Sequence, residues 1–110
     1  MIHPRPQKYI SRLDETLKTL RRLKRILRAL GVQHATVFGS IARGEDGPDS
    51  DIDLYLDYGD IVPDANHILP VEGKILEAFR DTKVDFVSNL STAKGRRLKI
   101  QIDKDGKNAF

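Results

Sequence analysis

The run "DIDLYLD", Asp51 to Asp57, alternates acidic or polar residues with large aliphatic ones. A period of two is the mark of a β-strand with unlike faces, because successive side chains on a strand point to opposite sides. Ile52, Leu54 and Leu56 must meet a core, while Asp51, Asp53, Tyr55 and Asp57 share the other face. Charge on that second face is costly to cover unless a cation, a hydrogen-bond donor or a metal meets it. This run therefore demands a layered fold whose sheet is covered on one side and acidic on the other.

The rest of the chain supplies the covering layer. Leu13, Leu17, Leu20, Leu23, Leu27 and Leu30 recur at intervals of three and four, the stripe of an amphipathic helix over residues 11–30. Ser11 is placed to cap it, Asp14 and Glu15 fall in its first turn, arginines fall in its last, and Gly31 stops it. "HATVFGS" predicts a strand ending at Gly39, with a turn region after it and room for a short helical turn beyond Ser40. Pro63 and Pro70 predict that any helix in this region starts after Pro70, striped by Val71, Ile75, Leu76 and Phe79. "KVDFVSNL" predicts a third strand carrying Asp85, and "RRLKIQIDKDGKNAF" a strand, a turn at Asp105-Gly106 and a returning strand. The order α, β, β, α, β, β predicts a small α/β domain with a mixed sheet and helices packed on it. A single domain over residues 1–110 is expected, opening with an extended leader over residues 1–10.

With no cysteine among 110 residues, disulfides and zinc-thiolate centres are excluded. No apolar run approaches the roughly 20 residues of a membrane span, and "MIHPRPQKYI" lacks the apolar core of a signal peptide, so a cytoplasmic protein is the default expectation. The net charge is only +3, but the charges are segregated: basic residues crowd "LKTLRRLKRILRAL" and "AKGRRLK", acidic ones Glu45 to Asp64. An acidic pocket in basic surroundings suits a metal-nucleotide ligand, and also arises on ordinary solvated faces.

Asp51 and Asp53 start from backbone positions about 6.6 Å apart on one face. Carboxylates leaning together from there can share a divalent cation, whose bonds to oxygen are about 2.1 Å for magnesium. Asp85 on a neighbouring strand completes a set of three, a common arrangement for phosphoryl or nucleotidyl transfer. Gly39 lets backbone approach a phosphate, and the Ser40 hydroxyl can donate to one. Two other motifs fail: Glu45 follows Gly44 where a phosphate-binding loop needs lysine, and Leu54 stands where a calcium loop needs glycine. His3, His34 and His67 have no ligand spacing.

The run "GSIARGEDGPDSDIDL" with "KVDFV" downstream resembles the nucleotidyltransferase signature of the DNA polymerase β superfamily, and most of all its minimal nucleotidyltransferases, the MNT group. The resemblance implies a polymerase β-like fold, magnesium as cofactor with two ions expected, and ATP as substrate. It implies that Asp51, Asp53 and Asp85 bind metal and are catalytic, Asp85 also helping to deprotonate the acceptor. Gly39 and Ser40 would hold the nucleotide phosphates, and Arg43 would make a phosphate or structural contact. MNT proteins are often antitoxins paired with a HEPN-domain ribonuclease toxin, to whose tyrosine characterised members transfer AMP. The resemblance thus implies a HEPN partner, with which this chain forms an oligomer.

Other readings stay open at this point. The acceptor is a small molecule or an RNA end in one; in another the chain acts without catalysis, as an antitoxin by binding alone or as a nucleic-acid-binding module. The helix face of Lys18, Arg21, Arg22, Lys24, Arg25 and Arg28 is the surface for nucleic acid or partner in that case, or simply a solvated face. Tyr9, Tyr55 and Tyr58 are candidate self-modification acceptors or packing residues.

Overall fold

The computed structural model describes residues 11–88 and 93–110. The expected leader, with His3 and Tyr9, lies outside them, as does the end of the predicted third strand. The elements run α1 (Arg12–Ala29), β1 (His34–Phe38), α2 (Gly39–Arg43), β2 (Ile52–Asp57), α3 (Ala65–Ala78), β3 (Val84–Val87), α4 (Ala93–Asp105) and β4 (Lys107–Asn108). The four strands form one mixed sheet in the order β3-β2-β1-β4. β1 is antiparallel to β2 and to β4, whereas β2 and β3 are parallel, joined by the α3 crossover that a parallel pair requires.

The alternation in β2 is realised as expected: Ile52, Leu54 and Leu56 are buried, and Asp53, Tyr55 and Asp57 are half-buried on the other face. Leu17, Leu20 and Leu27 of α1 and Val71 and Ile75 of α3 join Ala35, Val37, Ile52, Leu54, Leu56 and Val84 of the sheet in one core. The leucine stripe is core, and α1 starts as its caps dictate, with the Ser11 hydroxyl accepting from the Asp14 amide at 3.1 Å. Two residues of its basic face, Arg21 and Arg28, are structural. Arg21 donates to the Ala109 and Asn108 carbonyls at 2.8 and 3.2 Å, and the Arg28 guanidinium lies 5.4 Å from the centre of the Phe110 ring.

Two expectations are overturned. α3 begins at Ala65, with Pro70 inside it rather than ahead of it. Asp64 caps the helix by accepting from the Asn66 and His67 amides at 2.9 and 3.3 Å, and His67 Nδ1 accepts in return from the Asp64 amide at 3.2 Å. This reciprocal cap starts the helix early. The carbonyl that Pro70 leaves unpaired belongs to Asn66, and both residues are exposed, so water can satisfy it. Asp64→Ala is expected to speed hydrogen exchange at the Asn66 and His67 amides while the turns after Val71 keep their protection; unchanged exchange would refute the role given to the cap.

The stretch read as a strand before Asp105 is the helix α4. Leu98, Ile100 and Ile102 do alternate, but Gly95 and Ile102 are buried and Leu98 half-buried, at helical spacing, while Ile100 is 71% exposed. Lys99 and Asp103 pair at 2.9 Å across one helical turn. The turn and the returning strand appear as predicted, at Gly106 and β4. α4 covers the outer side of β1, which is why Thr36 and Phe38 are buried as well as Ala35 and Val37.

Tyr58 enters the core with 3% exposure, and among the described residues its hydroxyl has no hydrogen-bond partner. Burial, and then the charge of Glu72, pushes its phenol up to about 12. The neutral phenol's contribution to stability is complete below the ordinary value of 10.0 and is lost as pH rises through about 12. Tyr58→Phe should shift alkaline unfolding, followed by circular dichroism, to higher pH. At neutral pH it should raise stability by about 1 kcal/mol by removing an unpaired buried donor. No helix among the described residues is long and apolar enough to cross a membrane.

Candidate active site

The strand register decides which acids meet. Asp53 pairs with Phe38 on one side and with Asp85 on the other, so Asp53 and Asp85 stand side by side on one face of adjacent parallel strands. Asp51 lies two residues before Asp53, just ahead of the strand. The turn leading to it is closed by the Ser50 hydroxyl, which accepts from the Gly47 amide at 2.8 Å. Arg12, at the start of α1, anchors the same turn by donating to the Gly47 and Ser50 carbonyls, each at 3.0 Å. Asp51 Oδ2 lies 3.8 Å from Lys83 Nζ, an ion pair on the rim.

Gly39 follows Phe38 at the point where β1 breaks into α2. Its φ of +75° is left-handed, a conformation that L side chains adopt only under strain. A Cβ built there would collide with Asp53 Oδ2 and stand 3.0 Å from its Cγ. The missing side chain is thus the space in which the Asp53 carboxylate lies. Ser40 is half-buried in the first turn of α2.

Burial, then the charges of Asp85 and Asp51, hold the Asp53 carboxyl above the usual carboxylate range, with Arg43 pulling the other way. Arg43 is itself held between carboxylates: its Nε donates to Glu45 Oε1 at 2.8 Å, and one terminal nitrogen lies 3.6 Å from Asp105 Oδ2. It therefore ties α2 to α4 and lends positive charge to Asp53. Of the two roles the sequence left to Arg43, these contacts are structural.

As the side chains lie, no three His, Cys, Asp or Glu among the described residues form a ready-made metal cluster. The donor chemistry nonetheless fits a hard divalent cation, since all three side chains offer carboxylate oxygen. The repulsion that raises Asp53 is the load such an ion would relieve. Sequence reasoning missed Arg12, Glu45 and Asp105 as supports of the site. The basic-acidic pattern hints at them, but only tertiary contact pairs them.

The polymerase β nucleotidyltransferase family model matches residues 21–110. A structure described as a minimal nucleotidyltransferase is similar at 28% identity with a TM-score of 0.66, over 84% of this chain and 92% of that one. A toxin-antitoxin structure with AMP-PNP is similar at 26% identity with a TM-score of 0.63, over 84% and 72%. A Shewanella oneidensis complex of a tri-AMPylated HEPN toxin with an MNT antitoxin shares the fold, at 22% identity and a TM-score of 0.59, over 86% and 71%. No curated protein matches. With the glycine-serine bend, the paired acids and 90 residues matched in sequence, the chain belongs to the polymerase β nucleotidyltransferase family.

Proposed function

We propose that this nucleotidyltransferase moves AMP from ATP to a tyrosine hydroxyl of a HEPN ribonuclease toxin, and so serves as its antitoxin. The observation that carries the reading is the in-register pairing of Asp53 with Asp85, beside a Gly39 that leaves room for the Asp53 carboxylate. The similarity to a toxin-antitoxin structure containing AMP-PNP supports both the nucleotide and the partner. An enzyme acting on ATP and a ribonuclease belongs where both are found, in the cytoplasm.

In this reading Asp51, Asp53 and Asp85 hold a divalent cation, magnesium by donor class. When bound, the metal supplies charge neutralisation at the phosphates and a lowered pKa at the attacking hydroxyl. The chain's own groups do the rest. The Gly39 backbone and the Ser40 hydroxyl donate to phosphate oxygens. Asp85 accepts the proton of the tyrosine hydroxyl as its oxygen bonds to the α-phosphorus. The bond from that phosphorus to the bridging oxygen breaks, and pyrophosphate leaves. Arg43 keeps α2 and α4 in place and tempers the charge at Asp53.

The test is incubation with α-labelled ATP, magnesium and the purified HEPN protein, followed by intact-mass analysis and a ribonuclease assay. One or more AMP increments on the toxin, with loss of its ribonuclease activity, is the expected result. Label on RNA or a small molecule instead, or silencing of the toxin without any transfer, would overturn the reading.

A further inference from the structure

The acid-bearing face of the sheet continues past Asp53. Tyr55 and Asp57 follow it along β2, paired with Thr36 and His34 of β1. These four, with Asp103 of α4 and Asn108 of β4, line a recess of about 400 Å³. That volume lies within the span of small-ligand pockets, roughly 300 to 1,000 Å³. Nothing in the catalytic reading above uses it.

We infer that this recess is the nucleobase subsite, with Tyr55 as the platform on which an adenine ring stacks and Asp103 and Asn108 as the groups that read its edge. The inference rests on the nucleotidyl-transfer reading and extends it to base selection. Three observations carry it. Position comes first: Tyr55 is one same-face step from Asp53, about 6.6 Å along the backbone. A nucleotide whose phosphates lie at Gly39 and Asp53 can lay its sugar and base along that face without leaving the sheet.

Charge comes second. Asp57 and Asp103 line the recess, so a phosphate or carboxylate is repelled there, whereas a neutral ring carrying N–H donors is accepted. Both carboxylates keep acceptor capacity. Asp103 engages Lys99 through Oδ2, and Asp57 takes the Gly59 amide through Oδ1, which leaves one oxygen on each. Orientation comes third. The Thr36 hydroxyl donates to Asn108 Oδ1 at 2.8 Å, which fixes the carboxamide and leaves its NH₂ group to donate. Adenine offers an exocyclic amino donor beside a ring-nitrogen acceptor, matching a carboxylate and an amide N–H. Guanine presents a carbonyl oxygen where adenine has the amino group, which would face the carboxylate.

Calorimetric binding of magnesium-ATP, magnesium-GTP and magnesium-tripolyphosphate to the full chain tests this without any need for transfer. The wild type should bind ATP more tightly than GTP. Tyr55→Ala should weaken ATP about 10- to 100-fold by removing the stacking surface, and leave tripolyphosphate unchanged, while Tyr55→Phe restores ATP binding. Asp103→Ala, at an exposed position of α4, should narrow the preference for ATP over GTP. ATP affinity that ignores Tyr55→Ala together with a preference for ATP over GTP that ignores Asp103→Ala, or tripolyphosphate affinity that falls in step with ATP in Tyr55→Ala, would overturn the subsite and leave nucleotide binding standing. A wild type that binds neither ATP nor tripolyphosphate would overturn the nucleotidyl-transfer reading and the subsite with it.

Discussion

Asp53→Asn should reduce AMP transfer by about three orders of magnitude or more, the loss expected when a group that helps hold a catalytic cation is neutralised. The same substitution should make the metal-free protein more stable. Burial, then Asp85 and Asp51, raises the Asp53 carboxyl, so its contribution to stability is complete below the ordinary value of 3.8 and is lost as pH climbs through the raised folded value. Above that raised value the ionised side chain therefore opposes folding. An amide of the same shape removes the repulsion and still fits against Gly39. Melting temperatures with and without magnesium, alongside transfer rates, check both parts. Retained transfer, or a variant that melts below the wild type without metal, would contradict the role assigned to Asp53.

Gly39→Ala should also cut transfer, by a smaller factor and a different route. The new methyl group collides with Asp53 Oδ2, and the residue must hold a φ of +75°, a strain of about 1 to 3 kcal/mol. Relief requires the carboxylate or the β1-α2 bend to move, and a shift of about 1 Å at a catalytic group costs on the order of 100-fold in rate. Gly44 provides the control. Its φ of +73° imposes similar strain, but a Cβ there meets nothing within 4 Å. Gly44→Ala should thus cost stability alone, with transfer by the folded fraction unchanged. Equal loss of transfer in both variants would show that backbone strain, and not the space given to Asp53, explains Gly39.

What the sequence made legible was what rests on periodicity. Ile52, Leu54 and Leu56 declared the covered face of β2, and the leucines of α1 declared the layer above it. What it hid was settled by local competition and tertiary packing. Leu98, Ile100 and Ile102 satisfy a period of two, yet Gly95, Leu98 and Ile102 satisfy a helix equally well, and only burial of Ile102 beside β1 decides between them. Pro70 reads as a breaker until the Asp64 cap is recognised, because the cost of the missing amide depends on whether the Asn66 carbonyl can reach water. Within the site, the spacing of Asp51 and Asp53 was visible and Asp85 was expected to join them from a neighbouring strand, but the register that sets it directly beside Asp53 was not visible. Asp85 comes beside it only because β3 adds to β2 in parallel in that register. The clamp on Arg43 was hidden for a similar reason, since Asp105 arrives at the end of a helix that the sequence presents as a strand.

The claim on which the functional account depends is that the three aspartates hold one metal-binding site over the nucleotide. Manganese serves as a visible substitute for magnesium in crystals grown with a non-hydrolysable ATP analogue. The account predicts an anomalous peak bonded at about 2.1 Å to carboxylate oxygens of Asp51 and Asp53, on the side of the sheet where Asp85 stands, and touching the analogue's phosphates. A nucleotide bound with no peak at these carboxylates, or a peak elsewhere on the chain, would contradict it.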